Sequence, residues 1–233
     1  MKTQHSIISL KLQMKMMLSL PRYLQTKKSK LERTYGEEKT QIIMQIARES
    51  YPDILARIPD FHTPMYDSLI RLASKMAALK KGMNASGIST EEFVRFSIED
   101  TRSKAQKTPA VLRKAGGRLY LSKPVLSYLK GVASSATAHG WPTKLISGKK
   151  GDEFAMSLET RNCQMLAFWE SVGEGDIAPY CSFFDFTVAE QMQLGIKQLS
   201  TIESGVCKYC FYKRGKVEWP EPIQKVMNQT IHN

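Results

Sequence analysis

Apolar residues recur every three or four positions through the first two-thirds of the chain, and then the spacing shortens. Over 37–58, the side chains of Ile43, Ile46, Ala47, Tyr51, Ile54, Leu55 and Ile58 fall on one stripe of a helix that Pro59 ends. Pro64 suits the first turn of a second helix running to about residue 81, with Met65, Leu69, Leu72, Met76, Leu79 and Met83 four and three apart. Ser89-Thr90-Glu91-Glu92 has the form of a capping box, which predicts a helix from Thr90. A short helix over 109–115 is expected to stop at Gly116-Gly117. Another follows Pro124, burying Val125, Leu129, Val132 and Ala136, and stops at Gly140.

Beyond Pro142 the period falls to two. Residues 144–147 and 153–159 predict short strands around the loop 148–152. Residues 163–172 predict a helix carrying Leu166, Phe168 and Trp169 and closed by Gly173, and a second helix covers 182–194. The stretches 196–202 and 206–213 alternate on either side of Glu203-Ser204-Gly205, a hairpin signal. The fold class expected is α+β: a helical N-terminal two-thirds followed by a small antiparallel sheet with packed helices. The domain organisation expected is a basic extension over 1–34, one domain over 35–217 and a tail over 218–233. Within that domain, 35–140 is helical and 143–217 contains the sheet.

At 233 residues, 42% apolar and 24% charged, the chain has ordinary globular usage and enough length to bury a core without staples. No run approaches the roughly 18 uninterrupted apolar residues of a membrane span. The formal charge of +12 is concentrated in two blocks, +7 over 1–34 and +11 over 101–150, the second holding no acidic residue at all. That block favours an anionic partner or substrate. No Arg-Gly repeat, aromatic interleaving or nucleic-acid motif accompanies it, so it reads as a solvated basic face and nucleic acid is not the expected partner.

The N-terminal run is interrupted by Lys11, Gln13 and Lys15, and no small-residue cleavage site follows. It reads as an extension, floppy or amphipathic. The four cysteines, Cys163, Cys181, Cys207 and Cys210, are too few and too late in the chain for a secreted disulfide framework. Reduced thiols in a cytoplasm are the expectation.

Phosphate-binding glycine loops, HExxH and GxSxG are all absent, and the informative region is the cysteine-bearing third. A cysteine opening a helix, as Cys163 or Cys181 would, has its thiolate favoured by the helix dipole. Asp185 follows Cys181 by one turn and shares its face if the helix begins there. Arg161 can hold a carboxylate bidentately. Against each stands the ordinary fate of cysteine, which is inert burial. Cys207 and Cys210 form a CxxC, but Cys163 and Cys181 supply no second knuckle for zinc, and a strand would point 207 and 210 to opposite faces. His62 and His139 sit beside helix ends, where either a base or a cap is possible. Trp141 and Trp169 either wall a pocket or fill the core.

Arg161-Asn162-Cys163, Pro179-Tyr180-Cys181, Asp185 and Gly205-Val206-Cys207 together resemble the L-2-amino-thiazoline-4-carboxylic acid hydrolase-like family. The resemblance runs over about 31–217 and is most specific over 158–214. Lys208 and Tyr209 stand where an acidic residue followed by an aromatic is expected, so Lys208 departs from it, and Cys210 is an addition. It implies a hydrolase that opens a carboxylate-bearing cyclic amidine at a carbon–nitrogen bond, without cofactor or metal. Cys181, Asp185 and Cys163 would then be catalytic, and Arg161, Cys207, Trp141 and His139 would contact a small-molecule substrate. The alternative is a non-catalytic small-molecule-binding or regulatory domain of the same fold.

Overall fold

The computed structural model describes residues 10–58, 64–149 and 151–229. Six helices come first: α1 (Leu10–Tyr35), α2 (Glu37–Ala56), α3 (Pro64–Ala85), α4 (Thr90–Ala105), α5 (Ala110–Tyr120) and α6 (Lys123–Ala138). Strands β1 (Thr143–Ser147) and β2 (Met156–Thr160) follow, then helices α7 (Gln164–Ser171) and α8 (Phe183–Gln191). Strands β3 (Gly195–Ser200), β4 (Cys207–Tyr212) and β5 (Val217–Glu218) and helix α9 (Glu221–Asn228) complete the chain. The class is α+β, and no strand precedes Thr143 among the described residues. Nor is any described helix long and apolar enough to cross a membrane.

Two compact units share the chain. One comprises residues up to Phe93 together with Met165–Ala178, and the other Val94–Gln164 together with Pro179–Asn233. The boundaries expected at 34/35 and 217/218 are therefore not where the chain divides. From Leu10 on, the N-terminal extension is a helix of the first unit, with Met16, Leu20, Leu24 and Leu31 buried at helical spacing. The C-terminal tail likewise contributes β5 and α9 to the second unit, with Ile223 and Val226 buried.

In the first unit, Gly36, at φ 84°, separates α1 from α2 in a conformation that disfavours other residues. Helix α2 buries Ile43, Ala47, Tyr51, Ile54 and Leu55 as its stripe predicts. On α3 the buried line is Tyr66, Ile70, Ala73, Ala77 and Lys80, while Leu69 is exposed. Met76, Leu79 and Met83 of the expected stripe are buried as well and Leu72 is half-buried, so the buried face is wider than the stripe and leaves out Leu69. At Gly82 a Cβ would stand 2.3 Å from the Ile43 carbonyl oxygen. The expected stop at Pro59, the loop residue His62, the Met65 side chain and Lys150 lie outside the described residues.

The capping box forms as drawn: the Glu92 amide donates to Ser89 Oγ at 3.3 Å and the Ser89 amide to Glu92 Oε2 at 3.1 Å. Helix α5, in contrast, runs straight through Gly116-Gly117. Gly117 serves contact and not termination, since a Cβ there would lie 2.3 Å from the Met192 carbonyl oxygen. On α6 the most buried residues are Leu126, Ala133 and Ala136, with Val125 and Val132 half-buried at the margin.

The sheet of the second unit has the order β1-β2-β4-β3-β5. It is antiparallel except at its last edge, where Ile196 and Lys197 pair in parallel with Val217 and Glu218. The small antiparallel sheet expected gains this parallel edge because β5 comes after the hairpin and returns along β3 in the same direction. Register aligns Thr160 with Cys207, Leu158 with Tyr209 and Met156 with Phe211, so these residues share one face. Phe186 and Ala189 of α8, with Leu121 and Leu126, bury that face as a core.

Candidate functional site

The edge of this core nearest Thr160 and Cys207 collects the chain's chemistry. Strand β2 ends at Thr160, and Asn162 then takes φ 48°, a left-handed conformation that asparagine tolerates better than most residues. This turn delivers Cys163 to the start of α7. The Arg161 amide anchors it by donating to the Pro142 carbonyl at 2.9 Å. On the other side, a short 3-10 turn over Gly175–Tyr180 leads to Cys181 and to Ser182, which caps α8. Cys181 thus stands just before the helix rather than within its first turn, so the i, i+4 relation with Asp185 is not a regular helical one.

Cys163, Cys181, Cys207 and Asp185 nevertheless interact electrostatically. Burial, first, and then Cys207, Cys163 and Asp185 push the Cys181 thiol far above its ordinary value. Burial raises the Cys207 thiol as well, and Cys163 and Asp185 add to the shift. The expectation that a helix N-terminus would hold Cys181 as a thiolate is corrected: loss of hydration and acidic neighbours outweigh the dipole, and Cys181 is a neutral thiol near pH 7. No disulfide links the four cysteines.

Asp185 is the acid of the cluster. Water reaches its side chain, yet protein surrounds the carboxyl closely enough that lost hydration raises it to about 6. A carboxyl in that range exchanges protons readily near neutrality.

Two tyrosines complete the cluster, and neither is among the site residues expected from the sequence. Tyr209 is buried two residues after Cys207 on the same face of β4; burial raises its phenol, and Asp185, Cys181 and Cys207 raise it further. Its hydroxyl donates to the Cys207 sulfur, a bond that works to lower the thiol and to hold the phenolic proton. Tyr120 on α5 is raised by burial and by the Asp185 charge, and its ring lies 6.2 Å from that of Phe211. Strand alternation was the signal available for Tyr209. Nothing local marks Tyr120. Gln198 approaches the same sulfur, its Nε2 at 3.7 Å, and accepts from Ser182 Oγ at 3.5 Å. Gln198 also lines a cleft of about 730 Å³ between β3 and α9, together with Leu199, Trp219, Pro220 and Met227.

The other expected contacts stand apart from this cluster in character. Arg161 is exposed, and its guanidinium forms no ion pair among the described residues. His139 is exposed at the end of α6, where its Nδ1 lies 2.8 Å from the Ser135 carbonyl oxygen, a helix-capping position. Trp141 is buried in the turn from α6 to β1, its amide donating to Ala136. Cys210 faces away from Cys207, on the opposite side of β4 among Ser157 and Lys197. Among the described residues no group of three or more histidine, cysteine or acidic side chains is placed to hold a metal ion. Comparison with family models, curated proteins and solved structures finds no match.

Proposed function

We propose that the second unit is a hydrolase acting on a small carboxylate-bearing cyclic amidine such as 2-aminothiazoline-4-carboxylate. The observation that carries this reading is Asp185, a carboxyl raised to about 6 that interacts electrostatically with Cys181, Cys207 and Tyr209, the first two of which also interact with Cys163. Ionised Asp185 takes a proton from a water molecule whose oxygen adds to the carbon between the ring nitrogen and the ring sulfur. The resulting tetrahedral carbon then expels one ring heteroatom, which leaves with the proton that Asp185 returns. Neutral thiols suit the role of donors to charge that develops during this step. Arg161, exposed and without an ion-pair partner among the described residues, is available to a substrate carboxylate.

The protonated state of Cys181 also supports a second reading, in which this unit binds a small molecule without turning it over. Incubating the folded, reduced protein with 2-aminothiazoline-4-carboxylate and following carbamoyl-cysteine by mass spectrometry separates the two. Turnover that falls at least tenfold, about 1.4 kcal/mol in barrier, in both Asp185→Asn and Cys181→Ser supports the hydrolase. Binding of the compound without product supports the second reading.

A further inference from the structure

Helix α5 carries its apolar side outward. Towards the protein it presents buried Gly117, half-buried Tyr120 and Arg113, whose Nη1 donates to Gln191 Oε1 at 2.9 Å. Towards solvent it presents Val111, Ala115 and Leu119, spaced i, i+4, i+8 on one line, with Leu112 beside them. Val111, Leu112 and Leu119 are 77%, 60% and 64% exposed. Lys114 and Arg118 are exposed on the same outward side. The helix lies in the stretch 101–150, which has eleven basic residues and no acidic one.

We propose that this face of α5 docks the protein on an anionic lipid surface. A phosphate-rich surface complements the uncompensated cations, and a bilayer interface is the anionic partner that also takes up aliphatic side chains. A nucleic acid would match the charge but gains little from valine and leucine, since single strands are held by aromatic stacking and duplexes by polar contacts to phosphates and base edges. A second copy of the same face would meet its own positive charge. With a stripe of only three turns and two flanking cations, docking is weak and reversible and falls steeply with salt.

The test is co-sedimentation of the full chain with phosphatidylcholine vesicles, with and without about one-third phosphatidylserine, in low salt. Binding at least tenfold tighter to the phosphatidylserine vesicles is expected. It should fall at least tenfold in a Val111→Gln, Leu119→Gln variant and also in a Lys114→Glu, Arg118→Glu variant, since each cation near such a surface contributes about fivefold. All four side chains are exposed, so both variants should melt with the parent, and Val111→Trp should tighten binding. Vesicle binding that ignores the Val111 and Leu119 changes is charge adsorption alone and overturns the proposal. So does binding to duplex DNA in preference to vesicles, or a dimer in solution that the Val111→Gln, Leu119→Gln variant dissolves.

Discussion

Arg102 on α4 holds Glu190 on α8 through two parallel hydrogen bonds, Nε to Oε2 at 2.6 Å and Nη2 to Oε1 at 2.7 Å. The same guanidinium lies 5.5 Å from the centre of the Trp219 ring. One cation thus ties α4 and the approach to α9 to the helix that carries Asp185. Its fork geometry is what a lysine lacks.

Arg102→Lys should therefore cost about 1–2 kcal/mol in a urea titration, a half-exposed but bidentate and ring-stacked pair lying above the range for simple surface ion pairs. Glu190→Gln, which keeps one acceptor, should cost less. A larger loss in Glu190→Gln than in Arg102→Lys would assign the effect to charge and not to the fork.

The Lys80 side chain is fully buried, with its ammonium 2.6 Å from Glu174 Oε2 and 2.7 Å from Asp176 Oδ1. Removing it leaves the buried Glu174 carboxylate only Asn84 Nδ2 at 3.1 Å and Lys81 Nζ at 3.7 Å. Lys80→Met should destabilise the first unit by about 3–5 kcal/mol, and adding Glu174→Leu should recover much of that loss. A double variant no better than the single one would show that the carboxylate is not what destabilises Lys80→Met.

Acid should weaken the same network. Burial works to raise Asp176, but hydrogen bonds from Lys80 and Thr90 and the Lys80 charge outweigh it and hold the carboxyl below its ordinary value. A depressed folded value means the stabilisation is present above the unfolded value and is lost as pH falls through the folded one. Melting temperatures measured from pH 6 downward should fall less steeply in Asp176→Asn than in the parent.

Asp185 works in the opposite sense. Its folded value is raised to about 6, so stability declines as pH rises from the unfolded carboxylate range through 6, and the penalty persists above it. Asp185→Asn should raise the melting temperature at pH 7–8 and have a smaller effect near pH 4, while abolishing the limb of any pH–rate profile that rises through about 6. A destabilised Asp185→Asn at pH 8 would place this carboxyl among structural acids.

Adjacent glycines on α5 should respond with opposite signs. At Gly116 a Cβ meets nothing within 4 Å, so Gly116→Ala should stabilise by about 0.5–1 kcal/mol. At Gly117 the Cβ meets the Met192 carbonyl oxygen, so Gly117→Ala should cost about 1–3 kcal/mol. Thermal melts of the two variants decide it.

That glycine pair also shows where sequence reading runs out. Two consecutive glycines carry a helix-stop signal, and only the approach of residues 192–194 reveals that Gly117 is there for closeness. The capping box at Ser89, the change of period at Pro142 and the hairpin before Cys207 were legible because each is set by a few neighbouring residues. The proximity of Cys163, Cys181, Cys207 and Asp185 is set by no local signal, since it depends on how β4 and the turns before α7 and α8 come together. The protonation of Cys181 was not legible at all, since a thiol's hydration depends on atoms from three separate stretches. Tyr120 lies further still from any local cue, on a helix whose inward side is narrow.

The chain passes between its two units at 93/94, 164/165 and 178/179, which bears on how it is made. Lys80 and Glu174 are 94 residues apart. At roughly 5–20 residues per second, the ribosome exposes the Lys80 ammonium about 5–20 s before its carboxylate partners emerge. The first unit therefore lacks the carboxylates that neutralise Lys80 until residues 174–176 have been made. Nascent chains arrested shortly before residue 174 should be more sensitive to protease than those arrested well after residue 178, although α1 to α3 are fully synthesised in both.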